Sequence, residues 1–316
     1  MALNAIVALS GGVGGSRFTR GLCAAAPAAR LTAVVNTGDD TTLHGLRISP
    51  DVDTVLYALS GVVDEHRGWG PRGDTFRCMA ALERLGGETW FRLGDIDLAT
   101  HLRRTELLAA GWPASRVTAE LARCLGIEDV AVLPMTDQPV ETWVQLADDD
   151  QWVHFQEYFV HRRTDVAIRG VRFDGINNAS PAPGLLHALG EADLIVVCPS
   201  NPFVSIAPIL AVPGVRDAVL AARKHALVAG VSPIIGGATI KGPAARMLNE
   251  LGFEPSALGV ARQYAGLLDV FLIDPQDGHL AQGIRDLGMQ PLIGDALMRG
   301  RRGEARLARL LLRALA

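Results

Sequence analysis

Three polar segments near the amino terminus carry the residue types that phosphate chemistry needs. They read Ser10-Gly11-Gly12-Val13-Gly14-Gly15-Ser16, Asn36-Thr37-Gly38-Asp39-Asp40 and Pro50-Asp51-Val52-Asp53-Thr54. Glycines let backbone N–H groups come close to a phosphate at the start of a helix. Carboxylates on neighbouring turns suit Mg²⁺, which takes one or two of them beside the phosphates it accompanies. The combination points to chemistry on a nucleoside diphosphate. Two structural alternatives stand beside it: a tight turn without ligand at the glycines, and helix capping by Asp51 or Asp53. A dinucleotide fingerprint is excluded because Arg17 stands where its third glycine belongs, and a P-loop because no Gly-Lys-Ser/Thr follows.

Further along, Arg92-Leu93-Gly94-Asp95-Ile96-Asp97-Leu98-Ala99-Thr100-His101 is denser in polar groups than a simple join between elements requires. Asp95 or Asp97 suits a helix cap, His101 a ligand contact or a solvated position, and Arg92 an anionic or carbonyl-rich ligand. Cys198-Pro199-Ser200-Asn201-Pro202 follows an apolar run and offers hydrogen-bonding side chains on a stiff backbone. Val231-Ser232-Pro233-Ile234-Ile235-Gly236-Gly237 repeats the arrangement, with Lys241 just beyond. Trp152 to Phe159 alternates polar and aromatic residues, either to stack on a flat ring or to pack the face of a sheet.

These segments need a scaffold that brings them to one edge. Ala5–Leu9 and Leu31–Val35 read as buried strands leading into the first two turns, and ligands of open α/β sheets bind beyond the carboxyl ends of such strands. Helical spacing is expected over Arg17–Ala26, Asp53–Leu59, Thr75–Leu85, Leu98–Ala110 and Ser115–Leu125, with a short strand at Trp90–Leu93. The texture then changes. Val130–Pro134, Glu141–Leu146 and Gln151–Val160 read as strands, with Asp148-Asp149-Asp150 as a hairpin turn. Alternation of strand and helix resumes at Asp193–Val197, Ala226–Val231 and Leu268–Ile273. The expected fold is therefore α/β: a doubly wound, mostly parallel, Rossmann-like sheet over 1–126 and 185–316, with a smaller inserted α+β region, mainly antiparallel, over 127–184 that contributes to the acceptor site.

Composition agrees with such a fold. The 316 residues are 49% hydrophobic, with a mean hydropathy of +0.21, enough for a sizeable core. No apolar run approaches the roughly 20 residues of a membrane span, and the opening Met-Ala-Leu-Asn lacks a signal peptide's basic region, so a soluble cytoplasmic protein is expected. A net charge of −4 gives no case for nucleic acid. Cys23, Cys78, Cys124 and Cys198 show no CxxC spacing and are expected as buried thiols. The run of Arg299, Arg301, Arg302, Arg306 and Arg309 is expected on a terminal helix docked on its own domain or on a second subunit.

Several strings in order carry a resemblance over nearly the whole chain. They are Ser49-Pro50-Asp51-Val52-Asp53-Thr54-Val55-Leu56-Tyr57, Leu93-Gly94-Asp95-Ile96-Asp97-Leu98-Ala99-Thr100-His101, His154-Phe155-Gln156-Glu157 and Pro199-Ser200-Asn201-Pro202. With the glycine turn, they resemble the 2-phospho-L-lactate transferase and phosphoenolpyruvyl transferase family of coenzyme F-420 biosynthesis. The resemblance implies an Mg²⁺-dependent enzyme, forming homodimers, that moves a phosphorylated three-carbon acid (2-phospholactyl, phosphoenolpyruvyl or phosphoglyceryl) from a guanosine diphosphate-linked donor. The acceptor is the terminal hydroxyl of the deazaflavin FO, and GMP leaves. By matching positions it implies Asp53 and Asp39 as catalytic and metal-binding residues, and Asp53, Arg92, Asp95 and His101 as FO contacts. Gly11, Gly12, Gly14, Ser200, Asn201, Ser232, Gly236 and Gly237 are the implied nucleotide contacts. A non-catalytic nucleotide-binding regulator of the gluconeogenesis-factor type shares the glycine-rich and acidic layout and is the rival reading; a nicotinamide dehydrogenase ranks behind both.

Overall fold

Runs of aliphatic and β-branched residues too short to span anything pair side by side. In the computed structural model, which describes residues 3–315, seven of them form one sheet. They are β1 (Ala5–Ser10), β2 (Arg30–Val35), β3 (Val130–Pro134), β4 (Leu194–Val197), β5 (Leu227–Val231), β6 (Val270–Ile273) and β7 (Gln290–Ile293). The spatial order is β7-β6-β5-β4-β1-β2-β3 and every pair is parallel. The order reverses between β1 and β4, the place where doubly wound sheets open a crevice for ligands.

Both faces of this sheet are covered, so its central strands read as continuous apolar runs rather than alternating ones. Alternate residues still part company. Val7, Leu9, Ile195 and Val197 enter one core with Leu185, Ile209 and Val260. Ile6, Ala8, Leu194 and Val196 enter the other, against Phe18, Leu22, Leu307 and Leu311. Those last two belong to the terminal helix Gly300–Leu315, which lies on helix α1 (Gly12–Ala25). Arg20 of α1 bridges Glu304 and Glu65, while Arg301, Arg302, Arg306 and Arg309 face outward. Docking on its own domain is thus what the terminal helix does.

Helices α2 (Pro50–Leu59), α3 (Arg77–Arg84), α4 (Asp95–Ala109) and α5 (Ala114–Cys124) follow in the first half. Val52, Val55, Leu56, Leu107, Val117 and Leu121 cover Ala33, Val35 and Val132 of β2 and β3. The first strand expected in the insert, Val130–Pro134, is therefore the edge strand β3 of the main sheet, in parallel register with β2. The insert's own sheet is Glu141–Leu146 between Trp152–His154 and Ile168–Asp174, antiparallel throughout.

Three local expectations fail for physical reasons. Trp90–Leu93 is not a strand: it is irregular and follows its side-chain contacts, with Leu93 buried beside Ile48 and Met79. Gln151–Val160 pairs only over Trp152–His154, then coils into a wide helical turn at Glu157–His161. Phe155 and Phe159 stack at 5.6 Å and Tyr158 is buried, an i, i+3, i+4 pattern that suits a helix and not a strand. Of the cysteines only Cys198 is buried; Cys23 is half-buried, and Cys78 and Cys124 lie exposed on α3 and α5, whose outer faces are solvated. All four are free thiols. Among the described residues no single helix is long and apolar enough to cross a membrane.

Candidate active site

A cavity of about 700 Å³ opens at the carboxyl ends of β1 and β4. The glycine turn forms one wall. Gly12 has a φ of +64°, and a Cβ at Gly14 would collide with the Pro199 carbonyl, so these positions demand glycine for conformation and for close approach. The Ser200 hydroxyl accepts from the Gly11 amide at 3.2 Å and donates to the Gly11 carbonyl at 2.7 Å, which ties the two strand ends together. The Gly12 amide donates to Asp51 Oδ1 at 2.7 Å. A carboxylate thus already sits at the start of α1, and the amides of Val13 and Gly14, both lining the cavity, are the next in a helix start that has no carbonyls to serve them. Asn201 and Ser232 also line it; Asn201 Oδ1 caps the turn at Phe203, and Ser232 Oγ closes on the Ile234 backbone.

Beside the glycines, Asn36 organises two acids. Its side-chain amide reaches Asp39 Oδ1 at 3.2 Å, Asp51 Oδ2 at 2.9 Å and the Val204 carbonyl at 3.1 Å. Gln156, from the insert, donates to the other oxygen of Asp39 at 3.2 Å. Both acids line the cavity, and each is almost removed from water. Burial, reinforced by Asp51, pushes the Asp39 carboxyl well above its ordinary value, and burial lifts Asp51 to about 6 despite its donors from Asn36 and Gly12. Neutral amides satisfy hydrogen bonds without cancelling charge. Asp40 next to them points behind the wall, where Ser49 donates to it at 2.7 Å and burial lifts it to about 7.

A different arrangement surrounds Asp53. Arg104 of α4 bonds both carboxylate oxygens, at 2.9 Å to Oδ2 and more closely to Oδ1. The same guanidinium meets His101 Nδ1 at 3.2 Å. Arginine only donates, so this contact calls for a lone pair on Nδ1; Nε2 lies 3.3 Å from Asp97 Oδ2 but is buried without a hydrogen-bonded partner among the described residues. The Tyr57 hydroxyl donates to Asp97 Oδ1 at 2.7 Å. Burial raises the Asp97 carboxyl, yet His101, Tyr57 and Arg104 outweigh it and leave it below its ordinary value. Asp53, Tyr57, Asp97 and His101 line the cavity; Arg104, 4% exposed, stands behind them.

Aromatic residues form the outer wall. Trp90 stacks on His161 of the insert at 5.1 Å, and Arg92 lies over Phe76 at 4.3 Å. Trp90, Arg92, Phe155 and Phe159 all line the cavity. Across it, Lys241 Nζ donates to the Arg67 carbonyl at 2.7 Å and joins two loops over the glycine turn.

Most residues singled out in the sequence meet here; three do not. Asp95 accepts from Thr75 and from the Arg77 and Cys78 amides, capping α3, while Asp74 returns the favour to the Ile96 and Asp97 amides of α4. Gly236 turns its amide to Asp277, and neither it nor Gly237 lines the cavity. Asp51 and Asp53 cap nothing on α2, which begins after Ser49 with a proline. Arg104, Tyr57, Asn36 and Gln156 were not expected as site residues. The i, i+3 spacing of His101 and Arg104 was the available signal for the first of these.

Comparison with known proteins agrees with this geometry. Residues 6–302 match the family described as 2-phospho-L-lactate transferase CofD. A phosphoenolpyruvate transferase of Streptomyces griseus is 46% identical over 290 residues, covering 90% of each chain. A 2-phospho-L-lactate transferase of Methanosarcina acetivorans is 39% identical over 293 residues, covering 93% of each. Among solved structures, a UPF0052 family protein of Bacillus halodurans shares the fold, with a TM-score of 0.66 over 99% of each chain at 18% identity. With its parallel sheet, its switch-point cavity and these relatives, the chain belongs to the 2-phospho-L-lactate transferase CofD family, a family of transferases.

Proposed function

We propose that the protein transfers a phosphorylated three-carbon acid from a guanosine diphosphate-linked donor to the terminal hydroxyl of FO in coenzyme F-420 biosynthesis. The observation that carries this reading is one cavity joining the glycine turn, the buried acids of Asn36 and the α2–α4 ionic group at the switch point. The hydroxyl oxygen bonds to the phosphorus that bears the acid, the bridging P–O bond breaks, and its electron pair leaves with GMP. Asp53 orients the hydroxyl and takes its proton. Reactions of this kind depend on alignment and charge stabilisation more than on covalent help from the protein.

The donor set fits Mg²⁺ at Asp39 and Asp51. Among the described residues no three His, Cys, Asp or Glu side chains form a ready cage, and Mg²⁺ characteristically takes only one or two carboxylates and completes its shell with phosphate and water. Burial raises both carboxyls, with Asp51 adding to the effect on Asp39, and a cation bound between them would offset that cost of ionisation. Pairing Asp39 with Asp53 is less favourable, since Arg104 already provides a positive charge at Asp53. When bound, Mg²⁺ supplies charge neutralisation for the diphosphate. Gly11, Gly12, Gly14, Ser200 and Asn201 contact the nucleotide in this reading, while Arg92 and His101 face FO.

The test offers FO, Mg²⁺ and the phospholactyl, phosphoenolpyruvyl and phosphoglyceryl donors in competition, read by mass spectrometry. One product mass appearing with stoichiometric GMP supports the transfer and names the acid. Folded protein that binds guanine nucleotide and releases no GMP would return the regulatory reading. The expected homodimer belongs to the same proposal and is checked by sedimentation.

A further inference from the structure

Arg104 lines no part of the cavity, yet it holds two side chains that do. We propose that Arg104 is a positioning residue: its guanidinium fixes the Asp53 carboxylate and, through Nδ1, sets His101 as the Nε2–H tautomer, so that Asp53, His101, Asp97 and Tyr57 present one prealigned wall to the acceptor. Its kinetic consequences rest on the transfer reading above; the tautomer does not.

Two helices make this arrangement. Asp53 and Tyr57 lie on one face of α2, and Asp97, His101 and Arg104 lie at helical spacing on one face of α4. Asp40 in the acidic turn and Tyr57 of α2 also act on Arg104 from neighbouring elements. Three of the five donors of Arg104 are placed: two on the oxygens of Asp53 and one on a ring nitrogen of His101. A guanidinium buried to this degree is costly unless paired, and Asp53 is its partner. The pairing has a direction of consequence. Asp53 is fixed through both of its oxygens, while Nδ1 of His101 faces a group that can only donate and so favours a lone pair there. That tautomer puts the ring proton on Nε2, which is unpartnered but lies 3.3 Å from Asp97, whose other oxygen accepts from Tyr57. A lysine would deliver the charge as a single point and could not bridge both oxygens and the ring.

The experiment labels the histidines with ¹⁵N and compares wild type, Arg104→Met and Arg104→Lys without ligands, assigning His101 by its loss in His101→Gln. Wild type is expected to show a lone-pair Nδ1 and a protonated Nε2. Arg104→Met is expected to shift the proton toward Nδ1, where Asp53 Oδ2 lies 3.6 Å away. In turnover, Arg104→Met should lower kcat by about 100-fold, the loss that follows a displacement of about 1 Å at a reacting group. KM for the guanosine donor should stay within about twofold because the bonds of Arg104 go to Asp53 and His101 and not to the glycine turn, and Arg104→Lys should recover about tenfold of the lost rate. A protonated Nδ1 in wild type overturns the proposal, as does Arg104→Met with wild-type tautomer and kcat. Should Arg104→Met fail to fold, the wild-type spectrum and Arg104→Lys decide, and a wild-type kcat in the latter overturns it. Should no donor react with wild type, the transfer reading fails while the tautomer comparison still judges Arg104.

Discussion

Asp51 and Asp53 stand two residues apart in the first turn of one helix, equally withdrawn from water, and meet opposite surroundings. Asp51 meets an amide, a backbone N–H and, across Asn36, a second acid. Asp53 meets a guanidinium on both oxygens. The first environment grants hydrogen bonds without charge and leaves the carboxyl at about 6. The second cancels the charge from within the protein. Burial alone therefore does not define what a carboxylate does; the partner it finds decides whether it seeks a cation or acts as a fixed acceptor. One side of the cavity holds two carboxyls served only by neutral donors, and the other holds a carboxylate paired with a guanidinium.

The largest effect expected from breaking this contrast is at Asp53. Asp53→Asn should cut turnover by roughly 10²–10⁴-fold, the range for loss of a general base, with an unchanged circular dichroism spectrum. Its Mg²⁺ affinity, titrated calorimetrically with a guanosine diphosphate present, should stay within about twofold of wild type. Asp51→Asn reverses the pattern. It should weaken Mg²⁺ by about tenfold or more in that titration, with part of the turnover returning at high Mg²⁺. Equal Mg²⁺ losses in the two variants would erase the distinction.

A smaller effect tests the cost of the charge kept behind the wall. Asp40 has a folded value of about 7 against an ordinary 3.8, so the native state holds a proton that the unfolded state has lost between those values. Its stabilising contribution is complete below about 4 and is lost as pH rises through 7. In EDTA, Asp40→Asn should melt several degrees above wild type at pH 8, and the gap should close toward pH 4. A gap independent of pH would contradict the assignment. The smallest effect belongs to Asp95, which caps α3 outside the cavity. Asp95→Ala should lower Tm by about 2–4 °C and leave FO affinity, read by its fluorescence, within about twofold. A tenfold loss of FO binding would restore Asp95 to the site.

Much of this was legible because it is local. The strand-to-glycine junction at Ser10-Gly11-Gly12 depends on an apolar run followed by residues that tolerate a positive φ, and both are visible in one dimension. The acidic turns were visible for the same reason, as were, to within a residue, the carboxyl ends of the five helices expected in the first half. Val130–Pro134 was misplaced because an apolar pentapeptide carries no mark of whether its neighbour is parallel or antiparallel. The stretch after Trp152 hid a helical turn because its polar and aromatic residues fit period two as well as spacing of three and four. Cys78 and Cys124 were read as buried from apolar neighbours, although each lies on the solvated face of an amphipathic helix.

By itself, the sequence determined the parallel α/β class, the family, the glycine turn that only these residues permit, and the supply of carboxylates at the sheet edge. Each follows from short-range backbone sterics, from hydrophobic period or from ordered motifs. Only the tertiary structure decided which partner each acid received. Asn36, which holds Asp39, reaches Asp51 across 15 residues, Gln156 arrives at Asp39 from 117 residues away, and Arg104 reaches Asp53 over a separation of 51. The charge state of a buried carboxylate depends on distances of about 3 Å in space, and separation along the chain carries no record of them.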